Sequence, residues 1–419
     1  MPIAAAFFAL PRARRPVSRA AALGRLAGAA GLVLALAGCG GDGGAGDGAG
    51  AAGSAGGATM SAQAQLGRKV FNDATLSASG RQSCASCHLA DHAHSTDVAT
   101  GIARGGVALE RQGVRNVPSL RYLAAAPAFG FDDEGAPSGG LFWDGRAASL
   151  ADQAGRPFVN PIEMANASRA EVVLRLARAS YADEFRQLYG ADIFERPDEA
   201  FVRMTLALQA FEQEDPGLHP FSSKYDDFLR GRATLTEQEL RGLGLFNSPA
   251  KGNCAACHPS ARGADGSLPL FTDFSYDNLG VPRNRALGVN VDPAHYDLGL
   301  CAREGGDLAN RADLCGAFKV PSLRNVAQRK AYFHNARFTS LKEALTFYVQ
   351  RETNPEKWYA RNPDGTVDKY DDLPAQYRAN VNTSEAPYDR RLGDAPALSD
   401  AEIDDLIAFL RTLDDGYVP

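Results

Sequence analysis

The sequence predicts a mainly α-helical protein built from two copies of one unit, and three observations predict it. The pentapeptides Cys84-Ala-Ser-Cys87-His88 and Cys254-Ala-Ala-Cys257-His258 share the form C-x-x-C-H and lie 170 residues apart. Val117-Pro-Ser-Leu-Arg121 recurs as Val320-Pro-Ser-Leu-Arg324, and FWDGRAASL (142–150) aligns with FHNARFTSL (333–341) at an offset of 191. Apolar residues at helical spacing dominate, as over 400–412, where Ser399 and Glu402 form a capping-box sequence. Composition agrees: 419 residues, 45% hydrophobic and 22% charged, exclude wholesale disorder, a collagen-like polymer and a multi-span membrane protein.

The N-terminus carries a processing pattern. Arg12, Arg14, Arg15, Arg19 and Arg25 precede the apolar run Leu26–Ala37, which is too short to span a bilayer comfortably. The run ends Leu36-Ala37-Gly38-Cys39, which resembles a bacterial lipobox, where the cysteine becomes the lipidated first residue. Residues 1–38 are therefore expected to be a lipoprotein signal peptide, and 39–61 a lipidated Gly/Ala-rich tether reaching roughly 25 Å. An ordinary signal peptide with Cys39 incidental is the alternative. Either places the chain in the periplasm, with the membrane touched only through the lipid. The formal charge of −6 becomes −11 once the five arginines of residues 1–38 are removed. So acidic a chain is no nucleic-acid binder and suits a basic partner.

The paired motifs carry the chemistry. Two thiols add to the haem vinyl groups, and the adjacent histidine lies where it can ligate the iron. Zinc would need four ligands in one compact set, whereas here each distant pair has its own histidine. The expectation is two covalently bound c-type haems, on Cys84, Cys87 and His88 and on Cys254, Cys257 and His258. Each sits in a cytochrome-c-like domain, 62–228 and 229–419. The boundary falls near Asp215-Pro216-Gly217 and ahead of the capping sequence Thr236-x-x-Glu239. A helix precedes each motif, through Gly67–Phe71 and Gly242–Phe246. The remaining Cys301 and Cys315, 14 apart in a Gly/Asp/Asn-rich segment, suit a disulfide worth about 3 kcal/mol; two free thiols are the alternative.

FWDGRAASLADQAGRPFVNPIEM (142–164) and KVPSLRN…AYFHN (319–335) resemble the bacterial dihaem cytochrome c peroxidase family, which includes MauG, over roughly residues 62–415. The resemblance implies that the N-terminal haem reacts with hydrogen peroxide and the C-terminal haem passes electrons. It places Trp143 between them and Gln153 and Glu163 in the peroxide pocket. The chemistry asks for such groups independently. Cleaving a bound peroxide needs a group that takes a proton from the near oxygen and returns it to the far one. A desolvated Glu163 suits that task, and Gln153 can hydrogen-bond peroxide without titrating. On the residues alone, Glu163 also suits a surface carboxylate after Asn160-Pro161, and Trp143 a core residue.

In the usual peroxidases the second haem has a distal methionine. The methionines here are Met1, Met60, Met164 and Met204, so the second unit has none. Where the family places that ligand, 14 residues after His334, stands Tyr348, as in MauG-type members. Tyrosinate, a hard anionic donor, lowers the haem potential. The 191 offset maps Tyr348 onto Pro157, which has no ligand to offer and suits an open first haem. The family's distal histidine falls on Arg104, and His92 and His94 are expected to be exposed loop residues. The family's calcium ligands fall on Asn116 and on the carbonyls of Arg329 and Ala331, where Thr and Pro are usual. A cation beside calcium is awkward.

Three functions follow: a peroxidase fed by a small cytochrome c or cupredoxin, a MauG-like enzyme oxidising side chains of a protein substrate, or a non-enzymatic dihaem carrier. The stretch between Asn116 and Trp143 and the segment 351–395 around Trp358 are candidate partner surfaces.

Overall fold

The computed structural model describes residues 59–419. The signal peptide, Cys39 and the tether through residue 58 lie outside the described residues. Among the described residues nine α-helices follow in order: α1 (Ala62–Asn72), α2 (Leu150–Val159), α3 (Arg169–Leu176), α4 (Ala182–Tyr189), α5 (Pro197–Glu214), α6 (Lys224–Leu229), α7 (Glu237–Asn247), α8 (Leu341–Gln350) and α9 (Asp400–Arg411). Single 3₁₀ turns and three antiparallel pairs of two-residue strands join them. The fold is mostly helical. No described helix is long and apolar enough to cross a membrane.

Side-chain oxygens set the helix starts. Ser61, Ser149, Ser168, Ser340 and Ser399 each accept a backbone N–H from the first turn they precede. The boxes expected at Thr236/Glu239 and Ser399/Glu402 are formed, and Ser223/Asp226 adds a third.

The helices gather into two apolar cores. In the first, α1 lies across α5, with Leu66, Val70, Phe158, Met204 and Phe211 buried together. In the second, α7 lies across α9 around Phe246, Phe271, Leu406 and Phe409; Tyr225 of α6 joins this core. One device makes both crossings. A Cβ on Gly67 would lie 1.9 Å from the Ala207 carbonyl oxygen, and one on Gly242 2.1 Å from that of Asp405. Only glycine lets the backbones approach so closely. Phe71 meets Phe211 with ring centroids 5.1 Å apart, and Phe246 meets Phe409 at the same 5.1 Å.

The repeat seen in the sequence is a repeat of backbone. α2 and α8 begin and end 191 residues apart. Ahead of each runs a tight loop, closed by the bridges Leu141–Ala147 and Tyr332–Phe338. Phe142 and Phe333 both adopt φ 65°, an uncommon left-handed conformation for a bulky residue. The repeated arginines also act alike. Arg121 pairs with Asp415, and Arg324 grips Asp226 through two bonds of 2.8 and 2.9 Å with both side chains shut from solvent.

Cys301 and Cys315 form the expected disulfide. His92 and His94 depart from expectation: His92 is half-buried and His94 is buried, its ring edge-on to Phe71. A turn with Ala93 and His94 at φ 56° and 50° folds the chain inward there. Trp358 is also buried, against Phe338 and Phe347, so only its surroundings could meet a partner.

Candidate functional site

Each C-x-x-C-H segment forms a 3₁₀ turn that brings its histidine back over the first cysteine. The N–H of His88 donates to the Cys84 carbonyl, and that of His258 to the Cys254 carbonyl, both at 2.9 Å. The far side of each ring is tied down. His88 Nδ1 lies 3.1 Å from the His94 carbonyl, and His258 Nδ1 2.7 Å from that of Phe271. A backbone acceptor at Nδ1 fixes the proton there and leaves Nε2 with its lone pair, as a metal ligand requires. Burial holds both rings neutral: it pushes His88 down to about 4 and lowers His258 as well. Among the described residues the four motif cysteines form no disulfide. These residues fit two covalently bound haems.

The second motif opens into a large cavity lined by Cys254, Cys257, His258, Tyr348 and Tyr388. Tyr348 enters it from α8. Its ring lies 5.4 Å from Phe333 and 5.9 Å from Tyr388, and among the described residues its hydroxyl has no hydrogen-bond partner. Burial, and then Asp277 and the two thiols, push its phenol above the ordinary tyrosine range. Only a nearby cation would favour its anion there.

Trp143 and Gln153 line the same cavity. The Trp143 indole donates to the Asn116 carbonyl at 2.8 Å, and its own carbonyl accepts the Lys319 N–H at 2.8 Å. Gln153 is buried on α2, and among the described residues its Oε1 has no partner. Asp144, beside Trp143, accepts from Arg115 at 2.6 Å and Arg146 at 2.8 Å; Arg115 also grips Asp297 at 2.7 and 2.8 Å. His334, at the position equivalent to Trp143, is buried and stacks on Phe318 at 3.5 Å.

Glu163 follows α2 in a turn whose backbone bonds fix it: its N–H donates to the Asn160 carbonyl and its carbonyl accepts from Gly106. Its half-buried carboxyl lies close enough to Cys84 and Cys87 to act on both electrostatically, a small addition to the burial that dominates at each. Desolvation raises its own pKa, against opposing pulls from Arg146 and Asn160. Glu163 thus lies by the first motif, while Trp143 and Gln153, the latter on first-core helix α2, also border the cavity that holds the second.

Sequence reasoning missed Glu212. It is buried on α5, its Oε2 has no partner among the described residues, and desolvation pushes it to about 8. It acts electrostatically on Cys84. The signal was present: Phe201, Thr205, Leu208 and Glu212 share the buried face of α5 at helical spacing.

The residues proposed for calcium also come together. Asn116 Nδ2 donates to the carbonyls of Ala331 at 3.0 Å and Phe333 at 3.1 Å. The Arg329 guanidinium reaches in, donating to the Val117 carbonyl at 2.7 Å with Asn116 Oδ1 at 3.5 Å.

Paired haem-attachment turns on a mostly helical scaffold define a dihaem c-type oxidoreductase. The family model "Di-haem cytochrome c peroxidase" matches residues 61–234. Methylamine utilization protein MauG of Paracoccus denitrificans is 38% identical, over 84% of this chain and 89% of its own. Cytochrome c551 peroxidase of Nitrosomonas europaea is 29% identical, over 70% of this chain and 74% of its own. The diheme peroxidase BthA of Burkholderia thailandensis superposes with a TM-score of 0.77 at 41% identity, covering 84% of this chain and 86% of its own. The chain belongs to the dihaem cytochrome c peroxidase and MauG family. It is an enzyme, which sets aside the reading as a mere electron carrier.

Proposed function

We propose that the chain is a periplasmic, Cys39-anchored enzyme that takes hydrogen peroxide at its first haem and exchanges electrons through its second. The iron supplies the site where peroxide binds and where its oxidising equivalents are taken up. The rest falls to the protein. His88 and His258 hold the haems from one side, in domains 62–228 and 229–419. Glu163 would move a proton between the two peroxide oxygens and Gln153 would orient the peroxide, while Pro157, standing where the second unit has Tyr348, would offer the first haem no side-chain ligand. Tyr348 would be the second protein ligand of the second haem, and Trp143 would couple the two sites.

The observation that carries this reading is Tyr348, a hydroxyl without a partner in the cavity that holds His258, at the position where α2 has Pro157. The electron donor is a small cytochrome c or cupredoxin. Tyr348, together with 38% identity to a MauG, favours a second outcome from the same site, oxidation of a protein substrate's side chains.

Adding peroxide to the ferric holoprotein, followed in the visible and near-infrared, tests both. The expected resting spectrum has a high-spin first haem and a six-coordinate tyrosinate-bound second haem, and it changes with peroxide without prior reduction. A bis-histidine resting spectrum, or an inert one, overturns the reading.

A further inference from the structure

We propose that the Arg329 guanidinium stands in place of the calcium ion expected between Asn116, Arg329 and Ala331, so that the enzyme carries its own cation and needs no metal there. Calcium takes six to eight oxygen ligands, usually including carboxylates. Among the described residues no group of three or more His, Cys, Asp or Glu could hold a metal ion. The three oxygens expected to bind calcium are already engaged. The Arg329 carbonyl accepts from the Tyr332 hydroxyl at 3.2 Å. The Ala331 carbonyl accepts from Asn116 Nδ2 at 3.0 Å. Asn116 Oδ1 faces Arg329 Nη2 at 3.5 Å.

The orientation of the Asn116 amide follows from its neighbours. Two carbonyl oxygens, of Ala331 and Phe333, converge on its nitrogen, and a cation lies on its oxygen side. Flipping the amide would set oxygen against two oxygens and an N–H against a guanidinium. A metal could enter only by expelling Arg329 and breaking its 2.7 Å bond to the Val117 carbonyl.

The substitution keeps a positive charge in place, one unit where calcium would bring two. Arg329, as a guanidinium, is protonated throughout the physiological pH range, so the charge is permanent. Its charge is felt at His88, and its side chain lines the cavity that holds His258. A fixed positive charge therefore sits near both haem sites, tying Asn116 and Val117 to the segment before α8.

The test uses the full-length holoprotein. Elemental analysis of the wild type should find far less than one calcium per chain. Its haem spectra, its potentials and its melting temperature should not respond to a chelator or to added calcium. Arg329→Thr should melt lower and become calcium-responsive, calcium raising its melting temperature and shifting its spectra toward the wild type's. Arg329→Lys, which keeps the charge, should stay calcium-indifferent and serves if the threonine variant does not fold. One tightly held calcium per wild-type chain, or a chelator-induced spectral change reversed by calcium, overturns the proposal. So does an Arg329→Thr protein that folds and ignores calcium. None of these readouts depends on peroxide turnover, so this inference and the proposed function can fail separately.

Discussion

The α1–α5 and α7–α9 crossings are one piece of architecture used twice, yet the side chains they present differ at a few positions. Gly67 and Gly242 make the same close approach, and the Phe71–Phe211 and Phe246–Phe409 pairs the same ring contact. On this common frame Pro157 corresponds to Tyr348, Gln153 to Ala344, and Trp143 to His334 at the 191 offset. One residue beyond the matched phenylalanines, buried Glu212 stands where the second core has buried Leu410. The first unit thus carries Gln153 and Glu212, whose Oε1 and Oε2 have no partner among the described residues, where the second has Ala344 and Leu410 and sets aromatic rings around one phenol. The frame is common to both units, and the differences fall on a handful of side chains.

The largest break in the comparison should come at Glu163. Removing its proton transfer with Glu163→Gln should slow peroxide decay by roughly 10²–10⁴-fold, the usual worth of a general acid–base, with haem content unchanged. Because desolvation raises its pKa, the wild-type rate should climb with pH through a value above the ordinary 4.5, and the variant should lose that limb. Turnover that survives the substitution would sink the assignment of the first site as the peroxide site.

Much of this contrast is legible in the amino-acid chain itself. C-x-x-C-H names its cofactor because two thiols and a histidine have few other uses at that spacing. The equal bounds of α2 and α8 follow from matched Ser-Leu starts at Ser149 and Ser340. Other features depend on contacts that sequence does not order. The approach of Arg329 to Asn116 joins residues 213 apart. His94 turns inward only because its turn takes left-handed backbone angles, which no residue type there announces. Glu212 lay within reach of periodicity, but a polar residue near a helix end is more readily taken for solvent-exposed.

A matched pair of substitutions tests whether the two crossings are equivalent. Gly67→Ala and Gly242→Ala each press a methyl group into a backbone carbonyl, where neither flexible side chain nor solvent can yield. Each should cost about 1–3 kcal/mol in denaturant unfolding, the usual penalty for overpacking. Similar losses support a common frame. A loss at one glycine alone would show that the two crossings are not equally tight.

The smallest effect expected, and the most specific, is a pH slope from Glu212. Its folded pKa of about 8 lies above the ordinary 4.5, so the folded state holds a proton that the unfolded state releases between those values. Its contribution to stability is therefore full below about 4.5 and is lost as pH rises through about 8. Asp372 and Asp414, raised to about 6 and 7, act in the same direction, while buried His94 and His334 act in the opposite one. The wild-type profile alone thus mixes several groups, but the difference between wild type and Glu212→Gln isolates one. That variant should gain on the wild type by at most about 1.4 kcal/mol per pH unit across the window. Leu410→Gln, at the matched place in the second core, should lower stability without changing the slope, since it removes no titrating group. Parallel profiles for wild type and Glu212→Gln would mean that Glu212 has a partner when the haem is bound, and the asymmetry between the cores would then be one of packing alone.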